Sequence, residues 1–244
     1  MKFRFVGVLV AGVLLSAFAH SQYLGANGFN YKTMYGANMS QSFERMRLAS
    51  QWQSKMDSLV ARKTKTSTTT QTKPVTVDLN TGKYKPNGKR VTIETFLDAA
   101  GVAKENRAKV KQGLIQMFDG LETAMDEQKM KNDVFGSMSF FVCVNYTFAT
   151  GKSLPTNALP VVYEQLRSLL GSKEMKGLSG LEKQTYSETL LLLTALPMVI
   201  AVASETDPSQ AKTLKEVAQK NIQNILNLDA NKLQIDEKGL SILP

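Results

Sequence analysis

The stretch LSGLEKQTYSETLLLLTALPMVIAVA, residues 178–203, decides the fold. Ser179 followed by Glu182 is a capping box, in which each residue can satisfy a backbone N–H that the first helical turn leaves free. From Leu190 to Ala203 the run is apolar all round. A helix without a polar face must lie inside a protein or cross a membrane. Fourteen such residues with Pro197 among them are too few for a bilayer, so a kinked core helix is predicted.

Working outward, the chain from Thr92 on carries helical spacing nearly throughout. Thr92 and Glu94–Leu97 open a short helix that breaks near Gly101. Val110, Leu114, Met117, Phe118, Leu121 and Met125 fall on one helical face. Asn132 or Asp133 can cap the next segment, uncharged from Val134 to Ala149 and stopped near Gly151. Its length favours a buried helix over a strand. Leu159, Val162, Leu166, Leu169 and Leu170 make another stripe after Pro155 and Pro160. Asp207-Pro208 is an N-cap with proline at the first helical position, leading to Leu214, Ala218, Ile222, Ile225 and Leu226. The tail LQIDEKGLSIL is expected to be extended. These signals predict an all-α fold: a single bundle of about five to six helices over residues 93–244, behind a basic, partly disordered N-terminal arm.

NDVFGSMSFFVCVNYTFATGKSLP, then YEQLRSLL, then LSGLEKQTYSETLLLL, resemble an uncharacterised family of exported bacterial α-helical proteins, one defined by a domain of unknown function. The likeness covers roughly residues 93–242. It is carried by the Asp133 helix start, Tyr146, Gly151 and a Lys183-Gln184 turn leading to Tyr186. Many members place Tyr-Glu after that turn, whereas this chain has Tyr186-Ser187-Glu188, so the glutamate is displaced. The resemblance implies fold and export and no mechanism.

The N-terminus reads as a signal peptide over residues 1–21. Lys2 and Arg4 form a basic start, Phe5 to Leu15 an apolar core, and small residues follow at cutting spacing. Cleavage fits after Ala19 or after Ser21, and the second removes His20, the chain's single histidine. The expected location is therefore periplasmic or extracellular. Without an internal histidine there is no His general base, no Ser-His-Asp arrangement and no ordinary zinc site. No cofactor or metal is expected. The single cysteine, Cys143, reads as a buried apolar residue.

Charge is split along the chain. Residues 22–92 hold 12 Lys/Arg against 3 Asp/Glu, a net of +9, and residues 93–244 hold 16 against 18, a net of −2. A basic arm thus precedes a near-neutral domain. Residues 22–39 are rich in Tyr, Gly and Asn and read as flexible. Residues 40–65 read as a basic amphipathic helix, with Met46, Trp52, Met56 and Leu59 as an apolar docking face. Residues 66–92 read as a Thr-rich linker followed by an extended strap or short hairpin. The electrostatic docking set is Arg45, Arg47, Arg62, Lys63, Lys65, Lys83, Lys85, Lys89 and Arg90.

Other motifs are weaker. TFATGKS ends like a phosphate loop but has Tyr146 where the first glycine belongs. DLNTGK has its glycine one position early for a calcium loop. Glu122 and Asp126 can share a helix face as paired carboxylates do in hydrolases, but such i,i+4 acids are routine on solvated helices. The sequence therefore favours a non-catalytic, envelope-associated binding or assembly module docked by its basic arm on an anionic envelope component or an acidic protein, with self-association through the Trp52 stretch a further option. Specific nucleic-acid binding and a transmembrane span in the mature chain are not expected. The alternative is a cell-envelope hydrolase using paired carboxylates or a Ser-Lys pair.

Overall fold

The computed structural model describes residues 80–99, 101–170 and 173–243. Residues 1–79, on which the expected signal peptide, flexible stretch, amphipathic helix and most of the linker fall, lie outside them. Among the described residues there are seven α-helices: α1 Ile93–Ala99, α2 Lys104–Glu127, α3 Val134–Thr150, α4 Ala158–Leu170, α5 Lys173–Gly177, α6 Gly180–Thr206 and α7 Gln210–Leu226. A 3-10 turn, Ala230–Lys232, leads into a hairpin of β1 Leu233–Asp236 and β2 Gly239–Ile242. The chain is an all-α bundle with this small hairpin appended.

α3 is the central element. It packs on α6, α7 and α4, and α6 in turn packs on α7 and α2. Every residue from Val134 to Cys143 is buried, which explains why this helix has no charged side chain at all. Burying each Leu or Phe of such a core stabilises by roughly 1.5–3 kcal/mol. Asp133 is the residue that caps α3, accepting from the Phe135 N–H at 2.9 Å. Gly151 ends it in the left-handed region (φ 70°), its N–H bonded to the Thr147 carbonyl. The predicted face of α2 is buried from Val110 to Met125.

The capping box at the start of α6 is formed, with Ser179 N–H on the Glu182 carboxylate at 2.8 Å and Glu182 N–H on Ser179 Oγ at 3.2 Å. Lys183 and Gln184, which read as a turn, are instead part of the first turns of α6, because that box starts the helix ahead of them. By length and composition α6 could cross a membrane over Gly180–Val202 (mean hydropathy 1.6), but 72% of its most apolar window is covered by neighbouring helices. Pro197 lies inside it.

Two features exceed the sequence expectation. α5 is a single turn with no apolar periodicity to announce it. The extended tail folds back, with Leu233 opposite Ile242 and Asp236 opposite Gly239. Gln165 of α4 docks this hairpin by donating to the Leu240 carbonyl at 2.6 Å and accepting its N–H at 2.7 Å. Gly239 (φ 104°) leaves room for that amide, where a Cβ would strike Gln165 Oε1.

Candidate functional site

Residues 80–92 are the described end of the basic arm, and they form an extended strap across the ends of α3 and α6. No hairpin forms among the described strap residues; the one bridge pairs Lys83 with Asp133. A long-range clamp at each end holds the strap in place.

At the first clamp the strap meets the turn between α2 and α3. Val134 N–H donates to the Gly82 carbonyl at 3.1 Å, and Tyr84 N–H to the Asn132 carbonyl at 3.0 Å. Gly82 is required by close approach, since a Cβ there would collide with Asp133 Oδ1 and the Phe135 ring. Asp133 is fully buried and also accepts from the Tyr163 hydroxyl at 2.9 Å. Burial raises the Asp133 pKa, against the pull of the Phe135 N–H, the Tyr163 hydroxyl and the Lys83 charge. Tyr163 is itself pushed up to about 12, first by burial and then by the Asp133 carboxylate beside it.

At the second clamp, Gln184 and Glu188 sit one turn apart on α6. Gln184 Oε1 accepts from the Asn87 N–H at 2.9 Å, and its Nε2 donates to the Lys89 carbonyl at 2.7 Å. That same Nε2 reaches Glu188 Oε1 at 2.8 Å, which orients the carboxylate. Glu188 Oε2 then accepts from the Val91 N–H, the Thr92 N–H and the Thr92 hydroxyl at 2.8, 3.0 and 2.9 Å. These donors sit just ahead of α1, so a carboxylate nearly 100 residues away serves as its cap.

Beneath the strap lie buried hydroxyls. Ser137 of α3 and Ser187 of α6 share a short hydrogen bond, and both are essentially without solvent exposure. Tyr84 covers them, its pKa pushed up to about 12 by burial.

The basic residues of the strap divide into two groups. Arg90 does not face outward as a free charge. Its guanidinium pairs with Glu122 and, at 3.0 Å, with Asp119, and lies 4.8 Å from the centre of the Phe118 ring. The positive charge is consumed inside the molecule because α2 presents two acids where the strap crosses it. Lys83, Lys85 and Lys89 are exposed and make no ion pair among the described residues. Arg45, Arg47, Arg62, Lys63 and Lys65, together with Met46, Trp52, Met56 and Leu59, lie outside the described residues.

Other candidate groups have structural employment. Glu122 is tied to Arg90 while Asp126 stands exposed, so the two do not converge on a common space. Cys143 is buried and burial pushes its thiol up to about 12. Gly151, the glycine of the phosphate-loop look-alike, is the C-cap of α3. Among the described residues no three His, Cys, Asp or Glu side chains gather as a metal site. The sequence reading placed Gln184 in a turn and Glu188 as a displaced glutamate and gave neither a partner; their spacing of four, one turn of a helix, was the available signal.

A family model described as a family of unknown function, DUF6683, matches residues 4–243, so the chain belongs to that family. No curated protein and no solved structure matches it.

Proposed function

We propose that this member of the DUF6683 family is an exported, non-catalytic module of the cell envelope, in which the helical body carries and orients a basic arm that docks on an anionic surface. The observation that carries this reading is the clamp. Backbone groups of residues 82–92 are gripped by Asn132, Val134, Gln184 and Glu188, while Lys83, Lys85 and Lys89 are left unpaired and exposed. Such an anchorage fixes where a cationic segment leaves the body without spending its charge. A surface patch of unpaired lysines attracts polyanions at long range and is screened by salt. The signal-like first 21 residues support export.

The hydrolase reading draws less support, since Glu122 is bound by Arg90, and Ser137 and Ser187 are sealed beneath Tyr84.

The test is co-sedimentation with the envelope fraction at low and high salt, together with the mass of the mature N-terminus. The clamp dictates that residues 80–92 stay in every variant, because removing them would orphan Glu188. Replacing Arg45, Arg47, Arg62, Lys63 and Lys65 by Gln is expected to abolish salt-sensitive sedimentation. Undiminished sedimentation, or an uncleaved N-terminus in a cytosolic fraction, would overturn the reading.

A further inference from the structure

The cationic surface does not end with the arm. The register that pairs Lys83 with Asp133 and Tyr84 with Asn132 runs next to Lys85 on the strap and Lys131 on the α2–α3 turn. Lys129 follows two residues back in that turn, held in the left-handed region (φ 59°) with its N–H on the Asp126 carbonyl at 2.9 Å. Lys83, Lys85, Lys129 and Lys131 are all exposed, and none forms an ion pair among the described residues. The acids nearby are Asp126 and Glu127, which close α2 and are likewise exposed, and Asp133, which lies opposite Lys83 but is fully buried. Four exposed lysines against two exposed carboxylates and the buried Asp133 leave a net positive patch built from both the strap and the body.

Exposed lysines gathered on one surface raise the local positive potential and attract anions at long range. We propose that this composite patch is a docking face for an anionic lipid bilayer, with Lys83, Lys85, Lys129 and Lys131 meeting headgroup phosphates. The proposal rests on the envelope reading above and extends it from the arm to the folded body.

Three observations select lipid over other polyanions. The patch is made of lysines alone, compact hydrated charges suited to a diffuse field of headgroups; the strap's one arginine, whose planar fork suits bidentate recognition, is turned inward on Asp119 and Glu122. The patch exposes no aromatic side chain on which a nucleic-acid base could stack, since Tyr84 between Lys83 and Lys85 is largely covered. Earlier in the sequence, at residues 40–65, Trp52, Met56 and Leu59 recur at the spacing expected of an interfacial helix.

The test uses the full chain and vesicles of phosphatidylcholine, alone or mixed with phosphatidylglycerol. Three forms are compared: wild type, a patch variant (K85Q, K129Q, K131Q) and an arm variant (R45Q, R47Q, R62Q, K63Q, K65Q). All three patch positions are exposed, and circular dichroism checks that the helices persist. Wild type should partition onto the anionic vesicles and not the neutral ones. The patch variant should partition roughly tenfold more weakly or worse, given that each lysine at such a surface matters on that scale. Equal partitioning of wild type and patch variant would overturn the proposal while leaving the arm's role standing. Loss in the patch variant with no effect in the arm variant would support the patch and remove the arm. Binding to soluble polyphosphate with no binding to anionic vesicles would overturn the choice of lipid.

Discussion

The side-chain amide of Asn221 donates to the Leu193 carbonyl at 2.9 Å, and that carbonyl is the one Pro197 leaves without a helical donor. A proline has no N–H to give to the residue four back. In the middle of a core helix the orphaned oxygen would stand in a dry interior. Asn145 of α3 adds a second donor at 3.3 Å, and Asn221 Nδ2 also reaches Asn145 Oδ1 at 2.8 Å. Both asparagines are fully buried. The three core helices are thus joined by a polar knot at the place where one of them is broken.

The knot makes a coupled prediction. Asn221→Ala should destabilise by about 2–4 kcal/mol, combining a lost pair of hydrogen bonds with a small cavity. In a Pro197→Ala background the helix regains a donor for Leu193, so the same substitution should cost about 1 kcal/mol less. Denaturant unfolding of the four forms measures the coupling. A coupling near zero would mean that Asn221 serves Asn145 alone.

Glu188 leads to a second expectation. Its Oε2 serves three donors of Val91 and Thr92, so Glu188→Ala leaves the buried Thr92 N–H and the half-buried Val91 N–H unmatched. A loss of about 2–4 kcal/mol is expected, with faster hydrogen exchange at residues 91 and 92. Glu188→Gln keeps one acceptor oxygen and should fall between Ala and wild type. If exchange at those amides is unchanged in the Ala variant, the clamp is not what orders the strap.

Much of the bundle was legible because helical spacing reports burial directly. The Val110-to-Met125 stripe, the uncharged 134–149 run and the Ser179–Glu182 box each name both an element and its environment. The partners of Asn145, Asn221, Gln184 and Glu188 were not legible. They meet across 28 to 97 residues of chain, and a polar residue in an apolar helix announces only that some partner exists. Arg90 was misread as a free charge for the same reason: its acids lie on α2, 29 and 32 residues away. The hairpin was missed because a two-residue Glu237-Lys238 turn lacks the Asn-Gly type of signal that announces such turns.

Gly82 tests the first clamp by sterics. Gly82→Ala places a methyl against the Asp133 carboxylate and the Phe135 ring, both rigidly held. The expected cost is about 1–3 kcal/mol. Gly113, where an added Cβ meets nothing within 4 Å, is the control, and Gly113→Ala inside α2 should be neutral or stabilising. The midpoint of thermal unfolding should fall for Gly82→Ala and hold or rise for Gly113→Ala. A Gly82→Ala protein as stable as wild type would show that the strap lifts freely from Asp133.

Asp133 finally predicts how stability depends on pH. Its folded pKa is raised above the ordinary 3.8, chiefly by burial. The folded state therefore binds this proton more tightly than the unfolded chain does. The stability that the group contributes is fully present below its unfolded pKa and is lost as pH rises through the folded value. Exposed acids such as Glu94, held down by Lys111 and Arg107, act in the opposite sense and mask the effect in the wild type alone. Asp133→Asn removes the titration while keeping an oxygen to accept from Phe135. The informative quantity is the stability of wild type minus that of Asp133→Asn, measured by denaturant titration at several pH values. It should favour wild type most at acid pH and shrink steadily as the carboxyl ionises. A difference that instead grows with pH would mean that Tyr163, Lys83 and the α3 N-terminus stabilise the carboxylate more than burial penalises it.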